Sequence, residues 1–174
     1  MYRAFTIIEL FTTLAISIIA IYFISPIFFK IQDYFILNNH INQIRSFFYQ
    51  VQTQAYYSKR NYSFTIHSDK QDWCIIASEK VDDKKKLSCD CLNLSSCDIS
   101  GNYLIYKHKH YGVNFRSKSL YPKTFINLDG KSGRVESKCL GVSINKLSET
   151  LHFEQNGVVN VIQKNKRSNC NTNL

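Results

Sequence analysis

The N-terminal stretch RAFTIIELFTTLAISIIAIYFISPIFF, residues 3–29, decides the fold of this chain. Phe5 to Phe29 is a run of 25 residues with one charged side chain, Glu9. As a helix the run is about 37 Å long at about 1.5 Å per residue, enough to cross a bilayer core of about 30 Å. It therefore predicts one membrane-spanning helix. A plain anchor does not explain Glu9, because a carboxylate near the helix centre costs about 2.5–3.5 kcal/mol on insertion.

A cleaved secretory signal is the alternative interpretation of this run. Such signals usually have a shorter, acid-free apolar core that ends in a small-x-small cleavage site. Here Glu9 interrupts the run, and the bulky residues Ile27, Phe28 and Phe29 follow Pro26. The length and the flanking residues therefore argue against cleavage after the run.

The segment RAFTIIEL resembles the N-terminus of type IV pilins, a class III signal. The resemblance implies that a prepilin peptidase cuts between Ala4 and Phe5 and that the new amino terminus at Phe5 is methylated. The family usually has Gly before the cut, so Ala4 is a departure, and we expect slow cutting at worst. Glu9 becomes the fifth mature residue and Pro26 the twenty-second, both in register with the family pattern.

Glu9 and Pro26 are predicted to serve assembly. In low dielectric, pairing a carboxylate with an amine offsets much of the desolvation of both groups. The better partner of Glu9 is the Phe5 amine of a neighbouring subunit, because Phe5 lies at the frayed end of its own helix. Glu9 would then favour one axial offset between packed helices. Pro26 lacks a backbone N–H and clashes with the preceding turn, which predicts a kink or a locally melted turn.

Apolar residues continue beyond Lys30 at alternating spacings of three and four: Tyr34, Leu37, Ile41, Ile44, Phe48, Val51 and Ala55. This spacing is one face of a helix. It predicts one helix from about Phe5 to about Ser58, whose outer half lies on a globular domain. A free coiled coil is the alternative. It is disfavoured because only about three heptads are present and a β-rich segment follows that needs a cover.

Residues 59–174 are typical of a β-rich domain, with turns at Asp129-Gly130, Ser132-Gly133 and Asn156-Gly157. The predicted fold class is α+β: a long N-terminal helix, transmembrane and then amphipathic, packed on an antiparallel β-sheet domain. The strand candidates are Tyr62–Ile66, Trp73–Ala77, Tyr103–Lys107, Val113–Arg116, Thr124–Asn127, Cys139–Ile144, Thr150–Phe153 and Val158–Ile162.

The segments QVQTQAYYSKRNYSFTI, FINLDGK and LHFEQNGVV resemble the pseudopilin-H/FimT family of minor pilins. In that family a long helix carries a domain of two antiparallel sheets. The resemblance implies a single-pass inner-membrane subunit of a pilus or a type II secretion pseudopilus, with a periplasmic head. The implied organisation is a leader at 1–4, a transmembrane assembly helix at 5–29, an amphipathic half at 30–58 and the head at 59–174.

Six cysteines follow the apolar run: Cys74, Cys89, Cys91, Cys97, Cys139 and Cys170. If the run exports the rest, they meet an oxidising compartment, and an even count is compatible with three disulfides in any of fifteen connectivities. Cys74 could anchor a bridge to the polar loop that contains Cys89, Cys91 and Cys97, and Cys139 and Cys170 could close the C-terminal sheet. Zinc is the alternative for CDCLNLSSC. It is disfavoured because C-x-C-x5-C lacks the paired zinc spacing and no histidine is close.

The net charge of +9 lies mostly in residues 101–174, where twelve basic and four acidic residues leave +8. Competence members of the family hold DNA with a Gly-Arg-x-Arg turn, whereas the aligned turn here is Gly157-Val158-Val159-Asn160. A solvated basic face is the simpler interpretation, and any DNA binding is expected to be weak and non-specific. Two clusters could supply phosphate contacts: Lys131, Arg134 and Lys138, and Lys164, Lys166 and Arg167.

The sequence favours a structural subunit over an enzyme. It has no G-x-S-x-G, H-E-x-x-H or phosphate-loop motif. His108 and His110 would share a face of a strand, where an exposed edge is the commoner role than a metal site. We expect no cofactor and no metal. The expected partners are other pilins or pseudopilins, the prepilin peptidase and the inner membrane. A membrane-anchored periplasmic enzyme or metal-binding protein is the alternative.

Overall fold

The computed structural model describes residues 6–69, 72–81, 89–97, 101–109, 112–162 and 170. The chain divides into two compact units, Met1–Ile36 and Leu37–Leu174. A single helix, α1 (Ile7–Ser58), begins in the first unit and ends in the second. Within the described residues, α1 is the one helix long and apolar enough to cross a membrane. Its most apolar 18-residue window has a mean hydropathy of 2.3 and no buried residue.

The helix continues through Pro26 without interruption. Of the two alternatives predicted there, a kink or a locally melted turn, the melted turn is therefore not observed. Proline removes one backbone hydrogen bond, but the helical bonds on both sides remain and hold the turn. Next to it, the Ser25 hydroxyl donates a hydrogen bond to the carbonyl of Ile21 at 2.7 Å.

The second unit contains two antiparallel sheets of four strands, which confirms the predicted α+β fold class. The strand order is β3-β2-β1-β5 in the first sheet and β4-β6-β7-β8 in the second. The strands are β1 (Tyr62–Ser68), β2 (Asp72–Glu79), β3 (Tyr103–Lys109), β4 (Val113–Arg116), β5 (Ile126–Leu128), β6 (Lys138–Ile144), β7 (Leu147–Phe153) and β8 (Val159–Ile162).

One face of α1 packs on both sheets. The Phe48 ring lies 5.3 Å from Phe64 of β1 and 5.2 Å from Phe153 of β7, measured between centroids. Phe48 therefore joins the two sheets across the core. The buried helix residues are Leu37, His40, Ile41, Ile44, Phe47, Phe48, Val51 and Ala55.

The buried face differs from the predicted stripe at three positions. Tyr34 was placed on the stripe but is 53% exposed. His40 and Phe47 were not predicted, yet both are buried. A helix that covers two sheets needs an apolar face wider than a narrow coiled-coil seam, and these two residues widen it.

Candidate functional site

The N-terminus of α1 has a reciprocal cap formed by Thr6 and Glu9. The Thr6 N–H donates to Glu9 Oε2 at 3.5 Å, and the Glu9 N–H donates to Thr6 Oγ1 at 3.4 Å. This is the capping-box arrangement, which satisfies backbone donors that the first helical turn leaves unpaired. Thr6-x-x-Glu9 matches its sequence signature, so the cap could have been predicted. Ala4 and Phe5, the predicted cleavage and methylation residues, lie outside the described residues.

The serine hydroxyls of the apolar run, and those of Thr12 and Thr13, donate hydrogen bonds within the helix. Thr12 donates to the carbonyl of Glu9, Thr13 to that of Leu10 and Ser17 to that of Thr13, at 2.8–3.0 Å. Glu9 is the one charged side chain between residues 6 and 29. A carboxylate has about four acceptor positions, and the cap occupies one of them. Glu9 thus retains capacity to accept hydrogen bonds from a partner.

All six cysteines are paired in disulfides. Cys74 bonds to Cys91, Cys89 to Cys97 and Cys139 to Cys170, with Cα–Cα distances of 5.9, 5.2 and 5.7 Å. The structure thus selects one of the connectivities that the sequence leaves open. Thiolates held in disulfides are not available as zinc ligands.

The segment 89–97 covers the face of β2 that points away from α1. Cys89 and Cys91 pack with Cys74 and Ile76 of β2 in a small apolar cluster. Trp73 points to the other side, where its ring contacts that of His40 on α1. This explains why β2 is buried on both faces although it follows an alternating pattern of side-chain directions.

A hydrogen bond between His67 and Asp90 joins the segment 89–97 to β1. His67 Nδ1 contacts Asp90 Oδ1, the Leu92 N–H donates to the same oxygen at 2.9 Å, and the Tyr121 ring stacks on His67. Burial raises the pKa of the Asp90 carboxyl, but the hydrogen bonds from His67 and Leu92 outweigh burial and hold it below its ordinary value. Sequence reasoning missed this contact because the partners lie 23 residues apart.

Acidic residues surround the basic cluster Lys131, Arg134 and Lys138. The Lys138 ammonium lies 3.1 Å from the Glu136 carboxylate. Arg134 and Glu154 line the same open groove, and the Lys131 N–H donates to Asp129 at 3.0 Å. Hydrogen bonds from Asn127 and Lys138 lower the pKa of Glu136, so this carboxyl stays charged. An acidic residue therefore lies near each of the three basic residues, and the Lys138–Glu136 contact is an ion pair. The second cluster, Lys164, Lys166 and Arg167, lies outside the described residues.

Hydrogen bonds from α1 hold the turn at Gly157 and the start of β8. Gln52 Nε2 donates to the carbonyls of Gly133 and Gly157 at 3.1 and 3.3 Å. The Val159 N–H donates to the Tyr49 hydroxyl at 3.1 Å. Gly157 has a φ of 82°, and an added Cβ would overlap the Gln52 amide and the Gly133 carbonyl. The turn therefore supports the fold, and sequence reasoning missed Gln52.

One serine–histidine pair bears on the enzyme alternative. Ser137 Oγ lies 2.9 Å from His152 Nε2 on the exposed surface. A nucleophile of this kind also needs a group that orients the base. Within the described residues no carboxylate pairs with His152, so the pair has no third member there. The side chain of His108 and all of His110 lie outside the described part of the chain.

Comparison with known proteins gives one similar sequence. A Haemophilus influenzae protein, described only as uncharacterized, is 26% identical over 178 aligned residues, which cover 98% of this chain and 100% of the relative. No protein-family model matches the chain. No solved structure matches it. The long N-terminal apolar helix followed by a β-sheet head fits a pilin-like architecture.

Proposed function

We propose that this chain is a subunit of a type IV pilus or of a type II secretion pseudopilus, similar to the pseudopilin-H/FimT minor pilins. One observation carries the proposal: a single carboxylate, Glu9, lies in an otherwise uncharged helical run whose members are exposed to the surroundings. Lipid can cover such a run, but lipid gives a buried carboxylate no partner.

In this proposal the peptidase removes residues 1–4, and the amine of Phe5 becomes the partner of Glu9 on a neighbouring subunit. The pairing compensates two charges that are each costly in low dielectric. Packing of the apolar helices then supplies most of the contact area, and the ion pair selects one register. The head remains outside the membrane, in a compartment oxidising enough for three disulfides.

DNA contact is a secondary part of the proposal. Acidic residues lie near the cluster at Lys131, Arg134 and Lys138, and one of them pairs with Lys138, which weakens the attraction of the cluster for phosphate. We therefore assign any weak, non-specific contact with DNA to Lys164, Lys166 and Arg167. The positions of the family's two arginines hold Val158 and Asn160, and the Asn160 amide donates to Glu154 at 2.7 Å.

Substitution of Glu9 tests the assembly role. Glu9→Ala should insert in the membrane at least as well as the parent chain, because a costly group is removed. The variant should assemble poorly. Its amount in filaments sheared from cells, or in isolated pseudopili, should fall at least about tenfold below that of the parent chain. Ser17→Ala is the matched control, because it removes a polar group that is already satisfied inside the helix.

Thr6→Ala separates the two roles of Glu9. This change removes the half of the cap in which the Glu9 N–H donates to the Thr6 hydroxyl, but it keeps the carboxylate and its bond from the Thr6 N–H. It should leave assembly within about twofold of the parent chain. Equal loss of assembly in Thr6→Ala and Glu9→Ala would mean that capping alone explains Glu9. Normal assembly of Glu9→Ala would contradict the register role.

A further inference from the structure

The head has an open groove beside the start of β1 and the ends of β2 and β5, which the proposed function does not use. Its volume of about 290 Å³ is near the lower end of the range of about 300–1,000 Å³ for small-molecule sites. Such sites are mostly apolar, but among the described residues that line this groove only Leu128 and Val135 are apolar, and both are buried. We call it the polar groove. Its chemistry depends on Asn61, Lys80, Asn127, Asp129, Arg134 and Glu136.

The turn at residues 129–134 packs on the segment before β1 and fixes the shape of the groove. The Gly130 N–H donates to Asn61 Oδ1 at 3.0 Å. A Cβ added to Gly130 would overlap the backbone carbonyl of Arg60, so this close approach requires glycine. The Lys80 N–H donates to the Asn61 carbonyl at 2.8 Å, which holds the end of β2 beside the same segment. The groove is thus formed without a ligand, and binding does not have to order it.

The two carboxylates of the groove are held by bonds within the protein. Asp129 accepts hydrogen bonds from the N–H groups of Lys131 and Ser132 and from the Ser132 hydroxyl. Glu136 accepts one from the Asn127 amide at 3.1 Å, in addition to its ion pair. These hydrogen bonds lower the pKa of both carboxyls, so both stay charged. A carboxylate has about four acceptor positions, so each can still accept a hydrogen bond from a ligand hydroxyl.

The basic side chains of the groove have no such partners. In the part of the chain that the structure describes, no hydrogen bond or ion pair engages the side chain of Lys80 or Arg134. Lys80 lies close enough to Glu136 to lower its pKa, but not at ion-pair distance. The Asn61 oxygen is occupied by the Gly130 N–H, so its Nδ2 remains a donor. These free donors, two of them cationic, favour an anionic ligand.

The charge balance of the groove favours a small anion over nucleic acid. Its two basic side chains are matched in number by its two carboxylates, so the groove carries no net charge of its own. Nucleic acid binding depends on many contacts between phosphates and cations. A chain of phosphates in the groove would also lie close to both carboxylates, which repel it. A ligand with one carboxylate group needs only Lys80 and Arg134 as its cations.

The free donors and the remaining acceptors together define the ligand. A simple carboxylate would leave the acceptors of Asp129 and Glu136 unused, and a neutral sugar would leave the cations unused. An apolar peptide side chain would find no apolar pocket among the described residues of the groove. We propose that the polar groove binds a sugar acid such as a hexuronate. Its carboxylate contacts Lys80 and Arg134, and its hydroxyls donate to Asp129 and Glu136. This inference does not depend on the assembly role of Glu9.

Ligand-observed NMR on the full-length chain, in a detergent without sugar groups, tests the site. The probe is glucuronate. The matched probes are glucose, which lacks the carboxylate, acetate, which lacks the hydroxyls, and inorganic phosphate. We expect glucuronate to bind at least about tenfold more tightly than each of the other three, because each lacks one set of charged or polar contacts. No binding of glucuronate, or equally tight binding of phosphate or acetate, would overturn the proposal.

Substitutions in the groove supply the second readout. Arg134→Ala and Lys80→Ala should each weaken glucuronate binding at least about tenfold, and Arg134→Lys should retain part of it because the charge remains. Arg116→Ala and Lys123→Ala are the matched controls at exposed positions outside the groove, and they should change binding less than about twofold. Arg134 is exposed, so Arg134→Ala should unfold in urea like the parent chain. Unchanged glucuronate binding in Arg134→Ala, or equal weakening in the controls, would refute the site.

A sugar acid can be free or can stand at the end of a polysaccharide, and one more titration separates the two sources. A glucuronate-terminated disaccharide that binds more tightly than glucuronate supports the site and points to a polysaccharide. Equal binding of the two supports the site for the free sugar acid. Binding of glucuronate that single-stranded DNA displaces at physiological salt would contradict the proposal, because it would assign the groove to phosphate.

Discussion

Gly157→Ala should destabilise the head more than any other glycine-to-alanine change at an equally strained φ. The φ of 82° at Gly157 disfavours a side chain by about 1–2 kcal/mol. The new Cβ would also displace the Gln52 amide, which donates two hydrogen bonds worth about 0.5–1.5 kcal/mol each. The expected loss in free energy of unfolding is therefore about 3 kcal/mol.

Gly112→Ala is the matched control for backbone strain. Gly112 has a φ of 92°, but among the described residues its added Cβ would approach no atom closer than Ile144 Cγ1 at 4.0 Å. Its expected cost is about 1–2 kcal/mol, from backbone strain alone. Gln52→Ala removes the two hydrogen bonds without strain. In the double variant with Gly157→Ala the losses should fall short of additivity, because both changes break the same clamp.

Urea unfolding of the full chain in detergent, with its disulfides intact, measures these losses. The reporter is the fluorescence of Trp73, the one tryptophan of the chain, which is 1% exposed in the head. Equal losses in Gly157→Ala and Gly112→Ala would refute the clamp, as would full additivity with Gln52→Ala.

Three further predictions concern thiols, acid stability and DNA. The denatured, unreduced protein from an oxidising compartment should give no titratable thiol; six free thiols or stoichiometric bound zinc would contradict the disulfides. The lowered pKa of Asp90 stabilises the fold at neutral pH, and this contribution is lost as pH falls below the ordinary carboxyl value of 3.8; Asp90→Asn should flatten that part of the stability–pH curve. DNA binding should be weak and salt-dependent, and removing three cations should flatten the log–log salt slope by about two to three units. Substitution of Lys164, Lys166 and Arg167 by alanine should flatten the slope by that amount. Substitution of Lys131, Arg134 and Lys138 by alanine should change it by less than about one unit. No measurable binding near 50 mM salt would remove DNA as a partner.

Periodicity was sufficient to predict the helix and the class of fold. The spacing of three and four placed most of the buried helix face, and all eight strand candidates overlap an observed strand. The sequence did not reveal the tight turn between β6 and β7. The strand was therefore predicted to begin at Thr150, whereas β7 begins at Leu147. That turn uses Asn145 at a φ of 50°, without the Asn-Gly pair that usually marks such hairpins.

The contacts of the head surface could not be predicted, because they join residues that are distant in sequence. Gln52 reaches Gly133 and Gly157 across more than eighty residues. Likewise, the charge count of residues 101–174 predicted an excess of basic residues but could not predict which acidic residues lie beside them. Only the fold showed that Glu136 pairs with Lys138 and that Glu154 shares a groove with Arg134.

The intact mass of the native protein tests the central proposal most directly. The chain should be purified from its own membrane, in parallel with material from cells that lack the prepilin peptidase. The proposal predicts loss of Met1–Ala4 and the addition of one methyl group on Phe5, with the full chain retained in the peptidase-deficient cells. A mature protein that begins at Met1 in both samples, or after Pro26, would contradict it.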